Sequence, residues 1–187
     1  MASALSRASD PRYNPRLMTS ASYLRVGIGH DSHRLDAGRP LWLGGVRIPH
    51  SRGLAGHSDA DVVLHALTDA LLGAAGLGDI GDCYPDTDPA YRDCPSSRFI
   101  EETVARLAAR GWRIVNVDVI IMAEEPKLGP QKEKIRVRIA QLLGTEAINI
   151  KAKTGEGVGT IGRAEAIACQ AIVLIEKMES SLEGQAT

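Results

Sequence analysis

The pattern of hydrophobic and polar positions between residues 59 and 79 predicts the clearest helix of the chain. Asp61, His65, Thr68 and Asp69 recur there at helical spacing and form one polar stripe, while nearly every other position is apolar. A helix this apolar is expected to be buried on most sides. Two carboxylates around an imidazole on a buried helix need partners, and a metal or a substrate would supply them.

The ends of this helix carry recognisable signals. Ser58 is predicted to cap its N-terminus, with Asp61 completing an S-x-x-D capping box. Gly76 and Gly78 are predicted to end it, because glycine readily adopts the left-handed conformation that closes many helices.

The remaining periodicities predict an α+β domain. They indicate a strand at residues 23–31, a hairpin at 41–49, a loop at 53–57, and strands at 113–123, 147–153 and 164–177, with helices from Ser96 or Ser97 to Gly111 and, after Pro130, through Leu143. This order suggests a mixed sheet of four main strands with helices packed on one face. We expect one catalytic domain at residues 23–178, between a disordered N-terminal tail at 1–22 and a C-terminal tail at 179–187.

Composition narrows the class of protein. The formal net charge is -1 and only 4% of the residues are aromatic, so nothing favours nucleic acid or an anionic membrane as a partner. No apolar run approaches the roughly 18 residues of a membrane span. Three cysteines without a CxxC motif are typical of a reducing compartment. We therefore expect a cytoplasmic protein, with a plastid-type compartment as the alternative.

A second polar segment precedes the helix. Asp31 and His33 lie two residues apart on a predicted strand, so their side chains point the same way. Together with His65 they would form a three-ligand site of the kind that holds a catalytic zinc ion with one position open. Asp61 or Asp69, one turn either side of His65, would accept the second N–H of its ring. The alternative is that D-x-H occurs by chance and that His65 is an ordinary histidine.

Two further segments have features of phosphate-binding sites. His57 and Ser58 precede the helix, whose N-terminus attracts anions. Residues 154–163 are glycine-rich like a phosphate-binding loop, and Glu156 within them suggests an accompanying divalent cation. Each also fits an ordinary surface loop. No serine or cysteine lies in a motif typical of a nucleophile.

A set of short motifs carries a family resemblance from about residue 25 to residue 177. The motifs are Asp31-Ser32-His33-Arg34-Leu35, Leu43-Gly44-Gly45-Val46-Arg47-Ile48-Pro49, His57-Ser58-Asp59-Ala60-Asp61, residues 64–73, Gly78-Asp79-Ile80-Gly81-Asp82, Pro85-Asp86-Thr87-Asp88-Pro89, Asn116-Val117-Asp118, Pro126-Lys127-Leu128 and Gly162-Arg163. With them the sequence resembles the 2-C-methyl-D-erythritol 2,4-cyclodiphosphate synthases of the non-mevalonate isoprenoid pathway. Their combination is specific, although each motif alone is not.

The resemblance implies a full set of site residues. Asp31, His33 and His65 match the zinc ligands, Glu156 matches the ligand of a magnesium or manganese ion, and His57 and Thr154 match catalytic groups. The implied substrate contacts are Ser58, Asp79, Ile80, Gly81, Tyr84, Pro85, Asp86, Thr87, Asp88, Ala123, Pro126, Lys127, Leu128, Gly129, Lys153, Gly155 and Arg163. Arg163 also matches an arginine near a central cavity proposed to hold isoprenoid diphosphates, where Thr160 stands in place of a common phenylalanine.

The resemblance further implies a homotrimer built around packed sheets, with active sites between subunits. The 2-phosphate of 4-diphosphocytidyl-2-C-methyl-D-erythritol 2-phosphate would attack the β-phosphorus of the same molecule and release CMP. The residues alone leave two alternatives open. One is a zinc hydrolase that uses the same ligands, and the other is a non-catalytic trimer that binds nucleotides or prenyl diphosphates.

Overall fold

The computed structural model describes residues 24–178, so both predicted tails lie outside the described residues. The elements, in chain order, are β1 (Leu24–Ala37), β2 (Leu41–Leu43), β3 (Val46–Ile48), β4 (Arg52–Leu54), α1 (Val62–Ala75), α2 (Ile80–Cys83), α3 (Ser97–Ala109), β5 (Trp112–Met122), α4 (Lys132–Leu143), β6 (Ile148–Lys153), α5 (Gly159–Gly162) and β7 (Ala166–Lys177). Short 3-10 turns lie at Pro89–Tyr91 and Gly129–Gln131. The α+β class is confirmed.

The main sheet has five strands in the order β4-β1-β7-β5-β6, and only the β5–β6 pair is parallel. The prediction of four strands was therefore wrong. The segment at 53–57 that we expected to be a loop overlaps β4, which pairs with the far end of β1, and β1 runs beyond residue 31 to Ala37. The polar end of β1 is held by the distant strand β7, for example at His33 opposite Ile167, and local patterns do not reveal such pairing. The predicted hairpin exists as the separate ribbon of β2 and β3.

Helix α1 packs closely on β1. A Cβ atom added to Gly27 would lie 1.9 Å from the carbonyl oxygen of Ala70, and one added to Gly29 would lie 1.9 Å from that of Ala66. The two glycines share the helix-covered face of β1 because they are two residues apart. The next residue on this face is Asp31, so the close approach at the glycines brings the N-terminal half of α1 beside it.

The opposite face of the sheet carries apolar side chains that no part of residues 24–178 covers. Val26 and Ile28 are each 68% exposed and Ile172 is 46% exposed, whereas the interior residues Val119, Ile121 and Val173 are fully buried. The helices therefore lie on one face of the sheet, as predicted. None of the helices in residues 24–178 has the length and apolar character needed to cross a membrane.

The N-terminus of α1 differs from the prediction. The cap is Asp61, whose Oδ1 accepts hydrogen bonds from the backbone N–H groups of Val63 and Leu64 at 3.1 and 3.2 Å. The same carboxylate accepts from the N–H groups of Gly44 and Gly45 at 2.8 and 2.6 Å. A carboxylate accepts several bonds at once, so it satisfies the helix and the β2–β3 turn together. The predicted C-terminus is confirmed, since Gly76 is left-handed with φ of 69°.

Candidate metal centre and active-site cavity

Three side chains from β1 and α1 converge as the strand alternation predicts. Oδ2 of Asp31 lies 2.9 Å from Nε2 of His33 and 3.0 Å from Nδ1 of His65. The two imidazole nitrogens lie 3.1 Å from each other. These side chains are 25%, 20% and 13% exposed in the order Asp31, His33, His65, so the cluster is enclosed but still reachable from one side.

The three groups perturb one another electrostatically. Burial raises the pKa of Asp31, but hydrogen bonds and charge attraction from His33 and His65 outweigh it and hold that pKa well below its usual range. Burial lowers the pKa of His33, but its bond and attraction to Asp31 reverse the effect and leave the pKa raised. The cluster therefore favours positive charge next to Asp31, whether it is a proton or a metal ion.

The donor set fits a zinc ion. Two imidazole nitrogens and one carboxylate oxygen, all within 4.8 Å of one another, make the three-ligand set of a catalytic site. Zinc bound tetrahedrally at about 2.0–2.1 Å sets its ligands roughly 3.3 Å apart, close to the separations here. A small outward movement of the three side chains would bring them to that spacing.

A cavity of about 480 Å³ opens beside these side chains. It is lined by Asp31, His33, Gly56, His57, Ser58, His65, Ile80, Gly81, Tyr84, Pro85, Asp86, Tyr91 and Phe99. Most of these were predicted as metal ligands or substrate contacts. Its size is that of a small-molecule site.

The aromatic wall of the cavity was not fully predicted. The rings of Tyr84 and Phe99 stack at 4.7 Å, and Tyr91 meets both edge-on at 5.7 and 5.6 Å. The whole chain has only four tyrosines and one phenylalanine. No local pattern in the sequence indicated that Tyr91 and Phe99 pack against Tyr84.

Three predicted contacts lie next to lining residues without lining the cavity themselves. Asp79 caps α2 by accepting the N–H of Asp82 at 2.9 Å. Asp88 accepts the N–H of Ala90 at 2.9 Å and caps the turn at Pro89–Tyr91. Thr87 is exposed between them. In the single chain, Asp79 and Asp88 thus shape the loops that carry Ile80, Gly81 and the 84–86 segment.

The other predicted residues form a second group at a different edge. Strands β5 and β6 are parallel and end in register at Met122 and Lys153, so the loops that follow them meet. The N–H of Gly155 bonds to Oε2 of Glu124 at 3.1 Å. This group contains Ala123, Pro126, Lys127, Leu128, Gly129, Lys153, Thr154, Gly155 and Glu156. None of these nine residues lines the 480 Å³ cavity of the same chain.

Within the second group, Thr154 and Glu156 contact each other directly. The hydroxyl of Thr154 donates to the Glu156 carboxylate. Glu156 is exposed and has a positive φ of 51°. Arg163, at the end of the glycine-rich segment, is paired with Glu165 at 2.8 Å. Thr160 is exposed nearby, in the short helix α5.

The His65 ring does not bond to Asp61 or Asp69, which were predicted to accept its second N–H. Asp61 is committed to four backbone N–H groups, as described above. Asp69 accepts the N–H of Ile80 at 2.8 Å, which ties α1 to α2, and burial raises its pKa. Instead, Nε2 of His65 lies 2.9 Å from Oγ of Ser96 and 3.1 Å from Oγ of Ser58. The sequence marked Ser96 only as a helix start.

The fold and the donor set define a class: a small α+β domain with a candidate divalent-metal centre at the wall of a ligand-sized cavity. The family model described as the YgbB family matches residues 24–176. The chain therefore belongs to the YgbB family, to which the resemblance pointed.

Named relatives agree with that assignment. The chain is 54% identical over 155 residues to the 2-C-methyl-D-erythritol 2,4-cyclodiphosphate synthase of Bordetella petrii, covering 82% of this chain and 96% of the relative. It is 53% identical over 155 residues to that of Desulfatibacillum aliphaticivorans, covering 82% and 100%.

Solved structures show the same fold. The bifunctional IspDF of Campylobacter jejuni is similar with a TM-score of 0.82 and 40% identity, over 85% of this chain and 44% of that one. A 2C-methyl-D-erythritol-2,4-cyclodiphosphate synthase in a CDP-bound form has a TM-score of 0.75 and 40% identity, over 81% and 99%.

Proposed function

We propose that this protein is a phosphorus–oxygen lyase that converts 4-diphosphocytidyl-2-C-methyl-D-erythritol 2-phosphate to 2-C-methyl-D-erythritol 2,4-cyclodiphosphate and CMP, in isoprenoid precursor biosynthesis. The observation that carries the proposal is the convergence of Asp31, His33 and His65 on the wall of a cavity that also holds the predicted substrate contacts. In a YgbB-family chain this combination favours the synthase over a hydrolase with the same ligands.

The reaction needs positioning and charge neutralisation more than covalent help from the protein. An oxygen of the 2-phosphate forms a bond to the β-phosphorus while the bond from that phosphorus to the bridging oxygen of CMP breaks. When bound, the zinc ion and a magnesium or manganese ion would supply positive charge to the phosphates. The chain must hold the two ends of one flexible substrate together, which lowers the entropic part of the barrier.

His57 is placed to contact a phosphate. It lines the cavity beside Ser58, just before α1. Its Nε2 is buried and has no hydrogen-bond partner among residues 24–178. A buried ring nitrogen without a partner is costly, and a turn of the ring toward the cavity would let it donate to a phosphate oxygen if the nitrogen carries the proton. We therefore assign His57 to the phosphate that reacts, with Ser58 next to it.

The second residue group supports an active site shared between subunits. Thr154, Glu156 and the predicted substrate contacts between Ala123 and Gly129 do not line the cavity of their own chain. The uncovered apolar face of the sheet, with Val26 and Ile28, offers a surface on which copies of the chain would pack. We propose a homotrimer in which this second group completes the cavity of a neighbouring subunit, with Glu156 holding the magnesium or manganese ion.

The location we propose is the cytoplasm. Cys83, Cys94 and Cys169 are all free thiols, in accord with a reducing compartment. The partners we propose are the cytidine-linked substrate and two further copies of the chain.

A turnover experiment tests the function. Purified protein with zinc and magnesium should convert the substrate to the cyclic diphosphate, as followed by phosphorus NMR, and release one CMP for each product. His65→Ala should abolish turnover, whereas His50→Ala, a histidine outside the cavity, should not. Absence of turnover with both metals present would refute the proposal.

Subunit mixing tests the shared site. His65→Ala chains and Glu156→Ala chains should each be inactive. After unfolding and refolding together they should regain part of the activity, because some cavities then receive an intact histidine from one chain and an intact glutamate from another. Recovery no greater than that of either variant alone would refute sharing.

A further inference from the structure

We propose that Ser96 and Asp59 are positioning residues that fix the imidazole of His65 in the tautomer with its lone pair on Nδ1, aimed at the metal. This inference rests on the proposed metal site. Neither residue was predicted to act at the metal site, and neither lines the cavity.

The hydrogen-bond directions follow from the chemistry of a hydroxyl. Oγ of Ser96 lies 2.5 Å from Oδ1 of Asp59, which as a carboxylate only accepts. Ser96 has one hydroxyl proton and must give it to Asp59. Its oxygen then offers only lone pairs to Nε2 of His65, 2.9 Å away. Nε2 must therefore carry the ring hydrogen, and Nδ1 is left with the lone pair.

That lone pair points where the metal site needs it. Nδ1 is the ring nitrogen that lies 3.0 Å from Asp31 and 3.1 Å from His33. A histidine binds a metal through one unprotonated nitrogen, and the bond made by the other nitrogen decides which one it is. A chain of bonds from a carboxylate through a hydroxyl to the ring thus selects the binding nitrogen and holds the ring plane.

The side chain of Ser96 makes these bonds in place of the capping bond expected at its position. It is the N-cap residue of α3, where a serine normally accepts a backbone N–H of the first turn, yet its side chain makes no capping bond. The side chain is fully buried, so water does not replace its partners. Asp59 anchors the residue further, because its Oδ2 accepts the backbone N–H of Ser96 at 3.0 Å.

Ser58 is the competing partner. Its Oγ lies 3.1 Å from Nε2 of His65 and 3.3 Å from Oγ of Ser96. If Ser58 donated its proton to Nε2, the tautomer would be reversed and Nδ1 would carry the hydrogen. The hydrogen bond from Ser96 to Asp59 disfavours that arrangement. Because Ser96 donates its only proton to Asp59, a protonated Nε2 of His65 can donate to the oxygen of Ser96 as well as to that of Ser58.

Zinc affinity of the full chain, measured by competition with a chromogenic chelator, tests the proposal. Ser96→Ala should bind zinc about 10–100-fold more weakly, the loss typical of removing a ligand's hydrogen-bond partner. Ser96→Thr, which retains the hydroxyl, should restore most of the affinity. Ser97→Ala, the neighbouring serine outside the network, should match the wild type.

Asp59→Asn supplies a variant of nearly unchanged size. It should weaken zinc binding, and it should add little further loss in the Ser96→Ala background, because Asp59 acts through Ser96. Additive losses would contradict the relay and indicate two independent structural effects.

The position of the hydrogen on the His65 ring can be measured directly. It would not change if Ser96 had only a structural role. In the zinc-loaded wild type, nitrogen-15 NMR should show the His65 hydrogen on Nε2, in slow exchange with water. In Ser96→Ala this signal should broaden or vanish through faster exchange.

Three outcomes would overturn the proposal. An unchanged zinc affinity with an unchanged Nε2–H signal in Ser96→Ala would refute the relay alone. A hydrogen on Nδ1 of the zinc-loaded wild type would refute the tautomer. A wild type that binds no zinc would refute the metal site of the proposed function and this inference with it.

Discussion

Nε2 of His33 and Nδ1 of His65 lie 3.1 Å apart, and both lie within hydrogen-bond distance of one oxygen of Asp31. Two ring nitrogens do not remain this close unless a proton or a metal ion lies between them. The contact joins a strand residue to a helix residue 32 positions later in the chain. It accounts for His65, one of the polar residues on a helix that is otherwise almost completely buried.

Removal of one ligand should release the metal without unfolding the chain. We expect His65→Ala to lose nearly all bound zinc, because two remaining ligands hold a catalytic zinc poorly. Elemental analysis after dialysis measures the metal, and circular dichroism checks the fold. His50→Ala serves as the matched control. Retention of zinc in His65→Ala would show that the ligand assignment is wrong.

Asp61 should matter for stability more than for metal binding. Asp61→Ala leaves four N–H groups without their acceptor, at the start of α1 and at Gly44 and Gly45. We expect a loss of about 3 kcal/mol or more in the free energy of unfolding, measured by urea denaturation. Asp36→Ala, an exposed acidic residue near the end of β1, should change stability little. Equal effects of the two changes would contradict the capping account.

The close approach of α1 to β1 should control the metal site. Gly29→Ala places a methyl group against the carbonyl oxygen of Ala66, next to His65, so α1 must shift. We expect lower stability and weaker zinc affinity. Gly73→Ala, on the open side of the same helix, meets no atom within 4 Å and should stabilise the protein by about 0.5–1 kcal/mol. Wild-type zinc affinity in Gly29→Ala would contradict the argument.

The metal-free protein should lose stability as the pH rises. The raised pKa of His33 in the folded state means that its protonation stabilises the fold. This contribution is complete below the unfolded value of about 6.5 and disappears as the pH rises through the raised value. With chelator present, the melting temperature of the wild type relative to His33→Asn should therefore fall as the pH rises above the unfolded value of about 6.5. Parallel curves for the two proteins would contradict this assignment.

Bound zinc should reverse that trend. Zinc requires the neutral imidazole, so protonation of His33 competes with the metal at low pH. The stabilisation that zinc gives the wild type should grow as the pH rises over the same range.

The strongest parts of the sequence pattern predicted the fold correctly. Helix α1 and its end at Gly76 followed from periodicity and glycine chemistry. The juxtaposition of Asp31 and His33 followed from strand alternation alone. Strand β4 was missed because a strand of three residues is too short to show an alternating pattern. Its pairing with β1, for example at Leu35, is set by the tertiary fold.

The site was predicted less completely for a related reason. Helical spacing placed Asp61 and Asp69 near His65, but spacing does not say which other polar groups compete for a carboxylate. The N–H groups of Gly44 and Gly45 donate to Asp61, and that of Ile80 donates to Asp69. These donors come from segments outside the helix. Ser96 reaches His65 only because α3 packs against α1, a contact that no local pattern contains.

Oxygen-18 in the solvent tests the central claim most directly. In the proposed cyclisation the attacking oxygen comes from the substrate's own 2-phosphate. Turnover in labelled water should therefore yield equal amounts of CMP and cyclic diphosphate, with no label in either by mass spectrometry. Label in a phosphate of the products would show that water is the nucleophile and that the protein is a hydrolase.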